Sequence, residues 1–250
     1  PLVVTLHGSD VRLAARSRFA PAAFRYVARR AAAMTAVSSW LARTAESFAP
    51  GLSVSVAPMP VDASLFAAGP WPRRPTLLSV GRLNAQKGTA DLLHLLTRLP
   101  PEVSADIVGD GPDRASLESL ATRLGVAGRV RWHGHLPQSS VAPLYRHALA
   151  TVMPSRDEGL GLVAAESLLT ETPVVAYRSG GLVDLVDHGE TGYLADEGFV
   201  AGLSAGVTSL LADPVAPARM GATGRARMLS RFSPATAAAA YLAVYRAAIR

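Results

Sequence analysis

From Thr76 to Tyr177 short apolar, β-branched runs alternate with stretches of helical period, and this alternation constrains the fold more than any other feature. The spacing predicts strands over Leu77–Val80, Val103–Val108, Arg129–Trp132, Leu149–Met153 and Val174–Tyr177. Between them it predicts helices over Thr89–Leu99, Arg114–Leu124, Ser139–His147 and Leu162–Leu169. Strands separated by helices of this length join through right-handed crossovers, so the expected architecture is α/β with an open parallel sheet. Upstream, strands are expected at Leu2–Leu6, Met34–Val37 and Leu52–Val56, with a capped helix over Ser38–Phe48. Five prolines and one glycine between Ala57 and Pro75 read as a linker rather than a regular element. Helices from Phe199 onward close the chain.

Composition narrows the classes of function. With 49% hydrophobic and 18% charged residues over 250 positions, the chain has the profile of a globular protein with a real core. Cysteine is absent, which excludes disulfide staples and thiolate metal sites and fits a reducing, cytoplasmic setting. The net charge of +6 is arginine-heavy, yet aromatics make up only 6%. A nucleic-acid reader interleaves such charge with stacking aromatics, so no nucleic-acid partner is expected. Anionic small molecules or an acidic membrane surface fit better. No apolar run approaches the ~20 residues of a bilayer span, and no signal peptide is read at Pro1. The stretch Val11–Arg30 carries Arg12, Arg16, Arg18, Arg25, Arg29 and Arg30 without an acid. If helical, it could lie peripherally on an anionic bilayer with Phe19, Phe24 and Tyr26 dipping toward the acyl boundary; the alternative is an ordinary solvated face interrupted at Pro21.

In open parallel sheets ligands sit beyond the carboxyl ends of the strands, so the loops after the strands carry the functional signal. The first reads Gly81-Arg82-Leu83-Asn84-Ala85-Gln86-Lys87-Gly88, with two cations flanking a strand-to-helix turn. An arginine fork and a lysine point charge converging on a helix N-terminus make a diphosphate clamp; the alternative is two solvated surface charges. The second, Gly109-Asp110-Gly111-Pro112, is a tight turn whose glycines admit a ligand or a neighbouring loop close to the backbone. The third runs from Pro154 to Glu166 and places Glu158 and Glu166 eight residues apart. Over eight helical residues the rise is about 12 Å, near the span between the two sugars of a nucleotide-sugar. Between the two acids the amides of Gly161 and Leu162 open a helix and suit a phosphate. A carboxylate in an otherwise apolar helix is costly unless paired, which makes Glu166 a candidate ligand contact; the alternative is a capping acid followed by a helix-surface acid.

Taken in order, Gly81-Arg82…Lys87-Gly88, Gly109-Asp110-Gly111-Pro112, Glu158-x7-Glu166 and Pro173-Val174-Val175-Ala176…Gly180-Gly181 resemble the family 4 retaining glycosyltransferases. The resemblance implies the GT-B fold, two Rossmann-like domains, here with the N-terminal one only partly present. It implies a remnant of the acceptor domain plus linker over 1–75, a nucleotide-sugar-binding domain over 76–232, and a final helix over 233–250 returning to the first domain. It implies that Arg82 and Lys87 hold the donor diphosphate together with the Gly161 and Leu162 amides, within a donor site that also includes Gly81, Gly109, Gly111 and Gly159. Glu158 is then expected at the donor-sugar hydroxyls and Glu166 at the ribose. His7, in His7-Gly8-Ser9-Asp10, resembles the histidine that faces the donor sugar across the cleft; with Arg82, Lys87 and Glu158 it forms the expected catalytic set. Three departures stand out: Leu160 where phenylalanine is usual, Asp184 where Gly-Gly-x-x-Glu ends in glutamate, and Pro58-Met59-Pro60-Val61-Asp62 in place of Pro-Asn-Gly-Val-Asp. The family's first strand and glycine-rich loop would lie upstream of Pro1.

The implied reaction is transfer of a sugar, of hexosyltransferase type, from a nucleotide-diphosphate donor to an acceptor with retention. The leaving diphosphate gathers charge, and fixed protein cations and amides aimed there stabilise it without a metal cofactor. The sequence has no Asp-x-Asp motif, and no histidine pair has helical metal-ligand spacing; His133 and His135 are read as a loop or base contact. The acceptor is left open among lipid, small metabolite and polysaccharide. A non-catalytic nucleotide-sugar-binding fragment and a GT-B-fold epimerase are the competing readings.

Overall fold

The computed structural model describes residues 1–16 and 20–249. It begins with β1 (Val3–Leu6), α1 (Ser9–Arg16), α2 (Ala20–Ala28), β2 (Ala33–Ala36), α3 (Ser39–Phe48) and β3 (Val54–Val56). These strands pair in parallel in the order β1-β2-β3. The second sheet and its helices follow as β4 (Arg74–Val80), α4 (Thr89–Leu96), β5 (Ser104–Val108), α5 (Arg114–Arg123), β6 (Val130–Gly134), α6 (Gln138–His147) and β7 (Ala148–Met153). The chain then forms α7 (Leu162–Leu169), β8 (Val174–Tyr177), α8 (Leu182–Leu185), β9 (Gly192–Ala195), α9 (Val200–Ala212), α10 (Ala216–Arg231) and α11 (Pro234–Ile249). All pairings in the six-stranded sheet are parallel, in the order β6-β5-β4-β7-β8-β9. Counted within that sheet the order is the doubly wound 3-2-1-4-5-6, whose direction reverses between β4 and β7. This is the expected α/β architecture with parallel sheets.

Three elements depart from the expected pattern. Strand β4 starts at Arg74 and takes in Pro75. A register shift against β7 between Arg74 and Leu77 absorbs the proline, which has no N–H for the ladder. Helix α4 stops at Leu96 because the amides of Arg98 and Leu99 turn back three residues, onto the Leu95 and Leu96 carbonyls. The four-residue edge strand β9 has no period to read in sequence; a Cβ at Gly192 would lie 2.0 Å from the Val174 carbonyl oxygen, so glycine is what lets β9 dock on β8.

Both faces of the large sheet are apolar. One buries Leu77, Leu92, Leu96, Ile107, Val207 and their neighbours under α4, α5 and α9. The other joins Leu78, Val174, Ala165 and Leu182 to Leu6, Met34 and Leu41 of the first sheet, so one continuous core runs under both sheets. Nor does Ala57–Pro75 hang free. Arg73 stacks on Trp71 and donates to the Thr170 carbonyl at 2.7 Å and to the Thr172 hydroxyl. Burial lowers its guanidinium to a pKa of about 10, with nearby Glu171 opposing the shift. At the far end α11 packs against β2, and the Tyr241 hydroxyl donates to the Ala57 carbonyl at 3.5 Å.

Of the membrane-facing aromatics expected from sequence, Phe19 lies outside the described residues, as does Arg18. Phe24 turns inward, its ring edge-on to Phe48 at 5.9 Å, because α2 needs an apolar anchor against α3. Tyr26 is exposed, with Arg30 over its ring. Among the described residues no helix is long and apolar enough to cross a membrane.

Candidate donor site at the switch point

The reversal between β4 and β7 opens a crevice at the carboxyl ends of these strands, and the three informative loops converge there. Loop one is held by loop two: the Leu83 amide donates to the Asp110 carbonyl and the Asp113 amide to the Leu83 carbonyl. A Cβ at Gly109 would sit 1.9 Å from the Gly81 carbonyl oxygen, and one at Gly111 2.2 Å from that of Leu83. Of the two uses open to these glycines, the close approach is taken by the neighbouring loop, so Gly109 and Gly111 support the Gly81-Arg82 turn from behind. The Asn84 side chain then caps a 3-10 turn over Ala85–Lys87, accepting from the Lys87 amide at 3.2 Å. Gly88, at φ 66°, swings the chain into α4.

Loop three lies directly against loop one. A Cβ at Gly88 would be 2.0 Å from the Pro154 carbonyl oxygen, and the Arg156 amide donates to the Gln86 carbonyl at 2.8 Å. The Arg156 guanidinium reaches Asp91 at 3.0 Å, and the Tyr177 hydroxyl donates to the same carboxylate. Asp157 adopts φ 51°, a left-handed conformation held by a 2.9 Å bond from its amide to the Ser179 hydroxyl. The result delivers Glu158 to Lys87: Oε2 and Nζ are 2.7 Å apart, with the side chains 13% and 25% exposed. Arg82 is exposed and pairs with no acid among the described residues.

Gly161, at φ 92°, starts α7 without a side-chain cap, and its carbonyl accepts from Ala164 and Ala165. The Gly161 and Leu162 amides precede the first helical bond, and because α7 follows β7 this helix start lies at the carboxyl ends of the strands. Helix α7 begins at Leu162, as expected, so the two glutamates are not joined by helix throughout. Half the interval is loop, and the loop sets where Glu158 sits.

Glu166 is largely buried but does not depend on a ligand for pairing. Tyr145, itself fully buried, donates its hydroxyl at 2.9 Å and Gln138 its amide at 3.1 Å. Burial raises the Glu166 carboxyl above its ordinary range, against the lowering effect of these two donors. The native state therefore holds a proton more tightly than the unfolded chain. Stability from this group is present below the ordinary carboxyl range and is lost as pH rises through the raised value. Glu166→Gln should flatten that part of the profile, read as the difference in Tm between variant and wild type from pH 4 to 7. Parallel profiles would show that the group titrates normally.

His7 is exposed on the opposite wall, its amide bonded to Asp10 at 3.1 Å. Its carbonyl oxygen lies 2.8 Å from where a Gly159 Cβ would stand, so His7 and the Glu158-Gly159 backbone are neighbours across the cleft. His133 instead pairs with Asp106 at 2.8 Å between β6 and β5, away from this site. A depression of about 610 Å³ also lies elsewhere, at the amino ends of β4, β5 and β6 beside Arg74, Ser104 and Arg131. Sequence reasoning missed Ser38, Ser39 and Asp157, and left Asp184 without a partner. The structure supplies one: the Ser39 amide donates to Asp184 at 2.6 Å.

Residues 63–227, more than half the chain, match the family described as glycosyl transferases group 1. This chain belongs to that family. It is 36% identical to a glycogen synthase of Mycobacterium tuberculosis over 242 residues, covering 86% of the chain and 57% of the relative. It is 34% identical to a GDP-mannose-dependent alpha-(1-6)-phosphatidylinositol monomannoside mannosyltransferase of Mycolicibacterium smegmatis over 248 residues, covering 90% of the chain and 64% of that protein. The chain thus spans less than two thirds of the length of these curated relatives. Among solved structures, the group 1 chain superposes on Anabaena HepE in complex with UDP with a TM-score of 0.91 at 24% identity, covering 98% of this chain and 72% of that one. Sucrose-phosphate synthase of Thermosynechococcus elongatus gives a TM-score of 0.86 at 24% identity, over 98% and 67%. These likenesses establish the fold.

Proposed function

We propose that this chain is the donor-binding part of a retaining, family 4 glycosyltransferase of hexosyltransferase type that works without a metal cofactor. The observation carrying the proposal is the convergence of Lys87, Glu158 and the α7 start at Gly161 and Leu162 at the switch point, with Arg82 paired to no acid among the described residues. The names of the relatives, a glycogen synthase and a GDP-mannose-dependent mannosyltransferase, and the UDP-glucose bound by HepE support a nucleotide-sugar as the ligand class.

In the proposed step the bond between the anomeric carbon and the diphosphate oxygen breaks, and its electron pair stays on the diphosphate. Lys87, Arg82 and the α7 amides face that charge, which is where preorganised donors lower the barrier most. Glu158 holds sugar hydroxyls, Glu166 uses its remaining lone pairs for the ribose, and the acceptor hydroxyl oxygen joins the anomeric carbon on the face the diphosphate left, passing its proton to the departing diphosphate oxygen. His7 closes the sugar side.

Calorimetry of this chain with UDP, GDP, ADP, UDP-glucose and GDP-mannose should find at least one ligand. Silence across the panel from folded protein overturns the donor-site reading. Any sugar transfer by the protein should persist in EDTA; complete loss restored by a divalent ion would place the reaction in a metal-dependent class.

A further inference from the structure

Ser38 is the N-cap of α3 and only 1% exposed. Its hydroxyl accepts from the Leu41 amide at 3.3 Å, as an N-cap does, which leaves its single proton to be directed elsewhere. That proton goes to the Gly159 carbonyl, 121 residues away in the site loop, at 2.7 Å. The next residue makes a second bridge. The Ser39 amide and hydroxyl both donate to the Asp184 carboxylate, which occupies the positive end of α3 where free amides favour a negative charge.

The two bridges meet at one loop. Asp184 belongs to α8, whose preceding Gly181 donates its amide to the Glu158 carbonyl at 2.8 Å. A Cβ at Gly181 would lie 2.5 Å from the Gly159 carbonyl oxygen and 3.0 Å from the Ser38 Cβ. Glu158-Gly159 is therefore gripped between Gly180-Gly181 on one side and Ser38 with His7-Gly8 on the other. Arg12 adds a bond to the Asp157 carbonyl at 3.2 Å.

We propose that Ser38, Ser39 and Asp184 form a latch between the two sheets that positions the Glu158 loop for the sugar moiety of the donor. They are positioning residues, acting through the loop backbone without touching the ligand. The inference builds on the donor-site reading, in which Glu158 faces the sugar while Lys87 and the α7 amides face the diphosphate. The latch bonds none of Lys87, Arg82 and the α7 amides directly, so its loss should weigh more on the sugar than on the diphosphate half of the donor.

Ser38→Ala and Asp184→Asn test this, with Ser47→Ala at the exposed far end of α3 as control. Each variant is titrated with UDP and UDP-glucose, and with GDP and GDP-mannose. Affinity for the nucleotide-sugar should fall about tenfold, the size of one buried hydrogen bond, while that for the matching diphosphate stays within about twofold. Equal losses for both ligands, or none, overturn the proposal. Hydrogen exchange of the unliganded chain gives a ligand-free readout: both variants should speed exchange at the Asp157 and Gly181 amides and leave β5 and β6 protected. Unchanged exchange there overturns the latch even if wild type binds no nucleotide, an outcome that would separately defeat the donor-site reading.

Discussion

Replacing Lys87 by alanine is expected to weaken nucleoside diphosphate binding by roughly 10- to 150-fold, the loss of one charge-assisted hydrogen bond or ion pair. In any form of the protein that shows transfer it should lower the rate by about 10²–10³, because the leaving group gains charge only in the transition state. The effect is large for two reasons visible in the site. The Asn84-capped turn fixes the Lys87 backbone and the pair with Glu158 already orders its side chain, so little freedom is lost on binding. Its removal also strands the Glu158 carboxylate, 2.7 Å away in the native pair, beside an incoming diphosphate of the same sign. Arg82→Ala should cost less, since the exposed Arg82 must be ordered by the ligand. Calorimetry on both variants checks the ranking. Unchanged affinity in both would mean the cations are only solvated charges.

Gly180→Ala is expected to destabilise the fold by about 2–5 kcal/mol, combining a left-handed backbone penalty with overpacking. Gly180 sits at φ 57°, and a Cβ there would lie 1.9 Å from the Glu158 carbonyl oxygen. One of the two backbones must move by more than an ångström, and the Glu158 side is the loop that carries the site. Urea unfolding should show the drop in midpoint, and whatever folded variant remains should bind nucleotide-sugar more weakly than wild type. A variant of wild-type stability and affinity would show that the contact relaxes freely.

The sequence by itself determined the parallel α/β architecture, because short apolar runs alternate with stretches of period 3.6, patterns that depend only on neighbouring residues. It also determined which loops lie together: in a parallel sheet every strand ends on the same side, so Gly81–Gly88 and Pro154–Glu166 had to share an edge. Tertiary structure decided what those loops do to one another. Lys87 and Glu158 form a pair across 71 residues, Gly109 and Gly111 serve a neighbouring loop, and Glu166 takes its partners from α6. None of these contacts leaves a period or a local spacing in the chain. Asp184 shows the reason most clearly: as a residue type it read as a shortened glutamate, and only the fold, by bringing the amino end of α3 to it, made it a helix-end counter-charge. Local patterns follow from the backbone's own geometry, whereas partners distant in sequence are selected by how the two sheets pack over their shared apolar core.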